Sequence, residues 1–490
     1  MLKIRTSSPR LQARTERPPS RIAIIGGGFT GALIAKLLVD RGLRDIEEVW
    51  VFEAREHLGC GLAYDGRDAD VRLNVAAHRM RAIPGAPTAF LDWLHTSGTL
   101  TVDPQAVTPE GVFARRRDFG RFMQKQLAPH LESGAIRHVR ETVRALDREK
   151  DQWRITGANG ASVLADVVIL ATGHPPASRP SAFDRLDPLT AARVTDVQTP
   201  HALSGISQTD SILIVGCGLT ALDALSQLKG LGHTGKVTLL SRSGLLPRPH
   251  AGGGFSAFGD FRGPDLNSAL KLLVKVRATI SEAEANGIPW QSVFDALRLH
   301  AQELWQHLPV LERQKFLKRL RRWYDVHRYR MPPQAAAVLE TGFETGRITL
   351  EQGDLTSIGR DGSDLVVKIK NSTGHSELRC SRILLATGPD FRDYAAHQRF
   401  LLTMHQKGLI QSDPHGLGLT CDTAGRALTV AGTPNSSLFV AGPPARPAFG
   451  ELTGVPEIAN QAATMVDRII RSCARDTRTI LISQTDPTAD

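Results

Sequence analysis

The sequence predicts an α/β chain of two Rossmann-like, three-layer ββα dinucleotide-binding domains, with a helical insertion in the second. Three observations predict it. The segment Arg21-Ile22-Ala23-Ile24-Ile25-Gly26-Gly27-Gly28-Phe29-Thr30-Gly31 recurs in outline at Ser211-Ile212-Leu213-Ile214-Val215-Gly216-Cys217-Gly218-Leu219-Thr220-Ala221. Two later runs, Val167-Val168-Ile169-Leu170 and Ile383-Leu384-Leu385, both lead into Ala-Thr-Gly, at 171–173 and 386–388. Between Pro264 and Tyr329 the strand signals stop, and apolar residues fall at three- and four-residue spacing (Leu266, Leu270, Leu273, Val274, then Leu304, Trp305, Leu308).

In each turn an apolar, β-branched run suits a buried parallel strand. Glycines then let the backbone bend sharply and approach a pyrophosphate seated on the next helix's N-terminus. Gly26, Gly28, Phe29, Thr30 and Gly31 are the expected contacts of the first turn, and Gly216, Gly218, Leu219 and Thr220 those of the second. The strand after each turn meets the adenosine ribose. The first, Glu48-Val49-Trp50-Val51-Phe52, is followed by Glu53 and Ala54; a carboxylate accepts from ribose hydroxyls and repels a 2′-phosphate, so FAD or NAD fits. The second ends in Ser241-Arg242, a hydroxyl and a guanidinium suited to phosphate oxygens, which points to NADPH.

The alternating stretch Asp364-Leu365-Val366-Val367-Lys368-Ile369-Lys370 reads as part of a small antiparallel sheet ahead of the second Ala-Thr-Gly strand. Thr172, Gly173, Thr387 and Gly388 stand where those strands end. Near the C-terminus, Ser437-Leu438-Phe439-Val440-Ala441-Gly442 reads as a strand ending in glycine. Val455 and Pro456 open an apolar helix whose positive end suits the anionic edge of a reduced flavin. The expected division is a basic disordered tail over 1–20, a first FAD-binding part over 21–180, and an NADPH-binding domain over 205–375 with its insertion at about 264–330. A second FAD-binding part over 376–475 and a flexible tail over 476–490 complete it.

Composition narrows the class. The chain has 490 residues, 41% of them hydrophobic, enough for two large cores. No apolar run approaches the roughly 18 residues that span a bilayer, and residues 1–20 hold no apolar signal segment. Five scattered cysteines without CxxC spacing point to a reducing, cytoplasmic setting and away from disulfide reductases. No histidine pattern suggests a metal. The net charge of +10 is densest from Glu312 to Arg330, which also carries apolar residues at helical spacing and so reads as an amphipathic helix with a solvated basic face rather than a nucleic-acid surface.

The turns, the Ala-Thr-Gly strands and the C-terminal Gly strand together resemble the two-dinucleotide flavoprotein monooxygenases. More narrowly, Gly59-Cys60-Gly61-Leu62-Ala63-Tyr64, Leu73-Asn74-Val75-Ala76-Ala77-His78-Arg79-Met80, Ser241 through His250, and His327-Arg328-Tyr329-Arg330-Met331-Pro332-Pro333 resemble a bacterial family. That family groups FAD-dependent urate hydroxylases with nitrosuccinate-forming aspartate N-monooxygenases. The resemblance implies FAD and NADPH as cofactors, dioxygen and a small anionic or amine-bearing molecule as reactants, and hydroxylation through a flavin C4a-hydroperoxide. It places Leu73 and Asn74 beside the flavin, with Asn74 able to hydrogen-bond the ring edge or the oxygen adduct. Arg248, His250, Arg328 and Arg330 would grip an anionic substrate or the NADPH phosphates, in a stretch with few nearby carboxylates in sequence. Two other readings stand beside this one: an NAD(P)H oxidase or quinone reductase without oxygen insertion, and a flavin-holding sensor or interaction protein. Oligomeric state is not legible.

Overall fold

The computed structural model describes residues 20–42, 46–65, 70–199 and 201–479. The expected tails at 1–20 and 476–490 lie largely outside these residues. Where they overlap, Ser20 opens the first strand, and the last helix, Val455–Thr479, continues past the expected start of the tail.

Two sheets organise the chain. The first has six strands, in the spatial order Arg426–Leu428, Pro434–Val440, Val167–Leu170, Ser20–Ile25, Ile46–Phe52, Ile136–Val139. The second has five, in the order Val194–Asp196, Arg382–Leu385, Ile212–Val215, Val237–Ser241, Ile348–Gln352. The internal repeat holds at the level of register. Ile22–Ile25 pair in parallel with Val167–Leu170, and Ile212–Val215 pair in parallel with Arg382–Leu385. In both units the strand after the Gly-rich turn and the strand before Ala-Thr-Gly flank the same central strand.

The layers follow from period-2 alternation. Along Ile212–Val215, Ile212 and Ile214 pack with Leu222, Leu225 and Leu228 of the helix Leu219–Gly230 and with Leu339 of Pro333–Glu344. Leu213 and Val215 point the other way, onto Leu365, Val367 and Ile369 of the antiparallel meander Asp354–Cys380. One strand thus buries both faces, so it reads as a continuous apolar run. The first unit repeats the device, with the meander Val143–Ala165 contributing Trp153 and Ile155 to the core around Ile22–Ile25.

One expected boundary is corrected. The second FAD-binding part does not begin at 376, because Gly374–Cys380 completes the second unit's meander and Arg382–Leu385 lies inside the second sheet. Only after 388 does the chain return to the first sheet.

The insertion is helical, as expected. Ala269–Ala285 and Trp290–His307 pack around Leu272, Val293, Phe294, Leu297 and Leu304. The basic run is not one straight helix. It comprises Val310–Lys315, a π-turn over Phe316–Leu320, and Arg321–Arg328.

Candidate functional site

Both Gly-rich turns are built for backbone approach. Gly26 has φ +104°, and a Cβ there would lie 2.3 Å from the Ala171 carbonyl oxygen. Gly216 repeats this with φ +115° and 2.2 Å to the Ala386 oxygen. Each glycine therefore lets its turn pass directly over the end of the neighbouring Ala-Thr-Gly strand, a position closed to any side chain. Gly28 differs. A Cβ on it would meet only Gly61 Cα, at 3.4 Å, so two bare backbones face one another. Phe29 and Thr30 are buried behind the turn, and Gly442 packs so closely on Thr30 that an added Cβ would meet its Oγ1 at 2.6 Å.

The residues present fit the two expected cofactors. In the first unit, the helix Phe29–Gly42 has no acidic side chain in its first turn. The Glu53 carboxylate, at the tip of the second strand, accepts from the Gly27 N–H at 3.1 Å and the Arg55 N–H at 3.0 Å. These two bonds aim it along the turn and leave it acceptor capacity for ribose hydroxyls. Ala54 beside it is exposed, and Leu73 is buried beneath. In the second unit, Gly218 is the N-cap of Leu219–Gly230, no side chain caps it, and a Cβ there would meet nothing within 4 Å. The first backbone N–H groups of that helix, including those of Leu219 and Thr220, thus face open space where an anion can sit. Arg242 is exposed and makes no ion pair among the described residues, while the Ser241 hydroxyl accepts from the Gly244 N–H at 3.0 Å.

The Thr172 hydroxyl lies 2.7 Å from Tyr394 Oη, which donates to the Gly173 carbonyl at 2.8 Å. Thr387 donates its hydroxyl to the Ser178 carbonyl. Gly173 and Gly388 take nearly equal positive φ values, 74° and 76°. Val455 is buried at the start of the last helix, with Pro456 in its first turn.

The loop over 247–250 meets the end of the insertion. Arg248 N–H donates to the Val326 carbonyl, Met331 N–H donates to the Arg248 carbonyl, and Pro249 bridges Met331. His250 then reaches the first unit, where its Nε2 lies 3.0 Å from the Asn74 carbonyl oxygen and its ring packs 4.9 Å from Phe113. Burial, with the Arg330 charge second, pulls the His250 pKa down to about 4, so the imidazole is neutral at pH 7 and donates this bond. In this state it clasps the two loops together as a neutral donor.

The expectation of few nearby carboxylates is corrected. Arg330 is buried and paired with Asp295, which also takes Arg79 at 2.6 Å. Arg328 is buried against Glu451, with Glu457 at 3.8 Å. These acids come from the insertion helix, from the loop before Val455 and from the first turn of the last helix, so the sequence around 327–330 shows no trace of them. Arg248 alone of the set has an exposed side chain. Asp295 carries no motif, and Arg79 stands in the 73–80 motif without any sign of its partner. The available signal was an acid set among Val293, Phe294, Ala296 and Leu297, the buried stretch of its helix. Cys60 is buried, accepts from Gln124 at 3.0 Å, and has its pKa raised by burial, so it is held as a thiol. Among the described residues, no three His, Cys, Asp or Glu side chains gather as a metal site, and no helix is long and apolar enough to cross a membrane.

Residues 23–175 match the model of a family described as FAD-NAD(P)-binding, in agreement with the expected cofactors. No curated protein matches the chain. Among solved structures, an ornithine N-hydroxylase from Kutzneria sp. 744, in a form with reduced FAD, NADP+ and L-ornithine, is similar at TM-score 0.64 and 14% identity, covering 93% of this chain and 100% of that one. The L-lysine 6-monooxygenase of Pseudomonas syringae gives TM-score 0.61 at 16% identity, covering 92% and 99%. The FAD-bound cadaverine monooxygenase of Erwinia amylovora gives 0.61 at 14%, covering 97% and 100%. At such identities the likeness is one of fold, and it extends over both dinucleotide units.

Two outcomes follow from this geometry. Gly31 and Gly28 are expected to fail differently. A Cβ at Gly31 would stand 1.9 Å from the Gly26 carbonyl oxygen, so Gly31→Ala lowers the melting temperature of the protein, whereas Gly28→Ala leaves the fold intact and lowers flavin content. Thermal melts and the flavin-to-protein absorbance ratio of the two variants separate these effects; equal melting losses would contradict the assignment. The second concerns acid. Because His250 is folded with a pKa of about 4 against an ordinary value near 6.5, the unfolded chain binds the extra proton first. Its contribution to stability is complete above about pH 6.5 and is lost as pH falls towards 4. Denaturant titrations of the parent and His250→Gln proteins at pH 7.5, 5.5 and 4.5 are expected to show a shallower acid loss in the variant.

Proposed function

We propose that the protein is an NAD(P)H-dependent FAD monooxygenase acting on a small molecule that carries an amine or an anionic group. The observation that carries this reading is the meeting of the two units at His250 and Asn74. The loop leaving the second unit's ribose strand bonds directly to the loop that the family resemblance puts beside the flavin. Bound FAD would supply hydride acceptance and dioxygen activation, chemistry that belongs to the cofactor.

The chain's own residues do the rest. The Gly28–Gly61 lane and Glu53 seat a dinucleotide with an unphosphorylated ribose. The uncapped helix at Gly218 and the unpaired Arg242 receive a nucleotide carrying a 2′-phosphate. Neutral His250, packed on Phe113, closes the seam between the units and helps keep water from the reacting atoms. The Asn74 side-chain amide makes no hydrogen bond among the described residues and is available to a flavin edge or to substrate. The resemblance to urate hydroxylases and aspartate N-monooxygenases, and the fold likeness to monooxygenases of ornithine, lysine and cadaverine, support a nitrogen-containing substrate.

Anaerobic addition of NADPH to the purified yellow protein is expected to bleach the flavin, and readmitted oxygen to restore it. With the right substrate, NADPH oxidation accelerates while free peroxide stays low. Flavin that NADPH fails to bleach would sink the proposal, and stoichiometric peroxide with every amine and anion tried would reduce it to an oxidase. Arg242→Ala is expected to raise KM for NADPH about tenfold or more and leave NADH little changed, because one charge-assisted contact is worth roughly 1.5–3 kcal/mol. Equal changes for both nucleotides would remove Arg242 from the 2′-phosphate.

A further inference from the structure

One cavity shares no residue with either candidate dinucleotide site. It has a volume of about 520 Å³ and lies between the insertion and the segment around Arg446, ample for a small organic ligand. Its walls are mostly apolar, with Leu272, Val276 and Ile280 on one helix and Leu297, Leu304 and Trp305 on the next. The π-turn contributes Phe316, Leu317 and Leu320 to the third wall. An extra residue in one helical turn is destabilising in itself and recurs at functional sites.

One end of the cavity is polar, and its charges are unequally matched. Asp325 pairs with Arg321 at 3.4 Å. Glu451 pairs with Arg328 and accepts from the Tyr324 hydroxyl at 2.6 Å. Arg446 has no carboxylate within ion-pair distance among the described residues. Its contacts are a long 3.5 Å bond from Nε to the Gly450 carbonyl and the face of Phe391, 5.3 Å away. It is half-buried, and burial pulls its pKa below the ordinary arginine value. The remaining arginine of the lining, Arg277, is exposed at the rim. Asp325 and Glu451 favour this charge from a distance but neither contacts it, so a ligand anion reaching Arg446 would gain a direct partner.

We infer that this cavity is a binding site for an amphipathic carboxylate, whose apolar chain lies between the insertion helices and whose carboxylate pairs with Arg446. The site goes beyond the oxidative reading and stands or falls separately from it, because binding is measured without nucleotide or turnover.

The test is isothermal titration of the FAD-loaded protein at pH 7.5 with decanoate, decylamine and decan-1-ol. Decanoate is expected to bind, with decylamine about tenfold weaker or more. Arg446→Met should weaken decanoate by about tenfold or more while leaving decan-1-ol within about twofold. Ala301→Trp, which places bulk in the cavity from a partly exposed wall position, should weaken all three. Should Arg446→Met fold poorly, Arg446→Lys keeps the charge, and decanoate should still bind more tightly than decylamine. Absence of decanoate binding, a preference for decylamine, or equal losses of decanoate and decan-1-ol in Arg446→Met would each overturn the assignment.

Discussion

Everything at the centre of this molecule depends on a short backbone pairing between the two segments that leave the Ala-Thr-Gly strands. Ala177 and Pro389 form an antiparallel bridge, Ser178 N–H donates to the Gly388 carbonyl at 2.7 Å, and Asp390 N–H donates to the Pro176 carbonyl at 2.8 Å. These bonds lie a few residues beyond Gly173 and directly at Gly388, the points where the chain leaves each sheet. Because each Gly-rich turn crosses over the adjoining alanine carbonyl, tying the exits together also ties the turns. Two cofactors that exchange a hydride need a fixed mutual approach, and a pairing of backbone to backbone supplies it without depending on side-chain rotamers. Tyr394, fully buried, braces one exit by holding both Thr172 and the Gly173 carbonyl.

The insertion is docked onto this centre by charge as well as by packing. Asp295 takes Arg79 of the first unit's loop and Arg330 at the insertion's end, and Arg298 of the same helix donates to Glu457 in the last helix at 2.9 Å. Trp305 and Gln306 donate to the Pro447 and Ala448 carbonyls, and Gly450 lies so close to Trp305 that a Cβ would meet its ring at 2.6 Å. Buried ion pairs add little net stability compared with apolar packing of equal volume, but they tolerate few alternative arrangements. Their effect here is to fix the orientation of the insertion on the loop that precedes Val455.

What the sequence made legible was whatever is encoded locally. A Gly-rich turn between a β-branched run and a helix needs only neighbouring residues to be recognised, so Gly26, Gly28, Gly216 and Gly218 were readable, as were the acid at 53 and the base at 242. The alternation over 364–370 correctly announced a meander. It could not say which sheet the following strand would join, because that depends on Ile212–Val215, some 170 residues earlier by position. The same limit hid the partners of Arg328 and Arg330. Arg330 meets an acid 35 positions away, and Arg328 meets one beyond the second unit altogether. A run of basic residues looks unpaired whenever its counter-ions arrive by tertiary contact.

That run also shows why net charge is a weak guide to function. Lys315, Lys318, Arg319 and Arg322 are exposed, as an amphipathic helix would have them. The others turn inward. Arg313 donates to the Leu308 and Gln306 carbonyls and stacks over Trp305, Arg321 holds Asp325, and Arg328 and Arg330 are buried on acids from elsewhere. The inward-facing cations are therefore satisfied by the protein itself. Arg446 lies outside the run, reaches the same chamber from the first unit's C-terminal part, and finds its nearby acids already taken. Counting cations along the sequence singles out 312–330, whereas matching the cations that line the chamber below its rim to their partners in space leaves Arg446 without a carboxylate in contact, and a charge so placed favours a ligand of opposite sign.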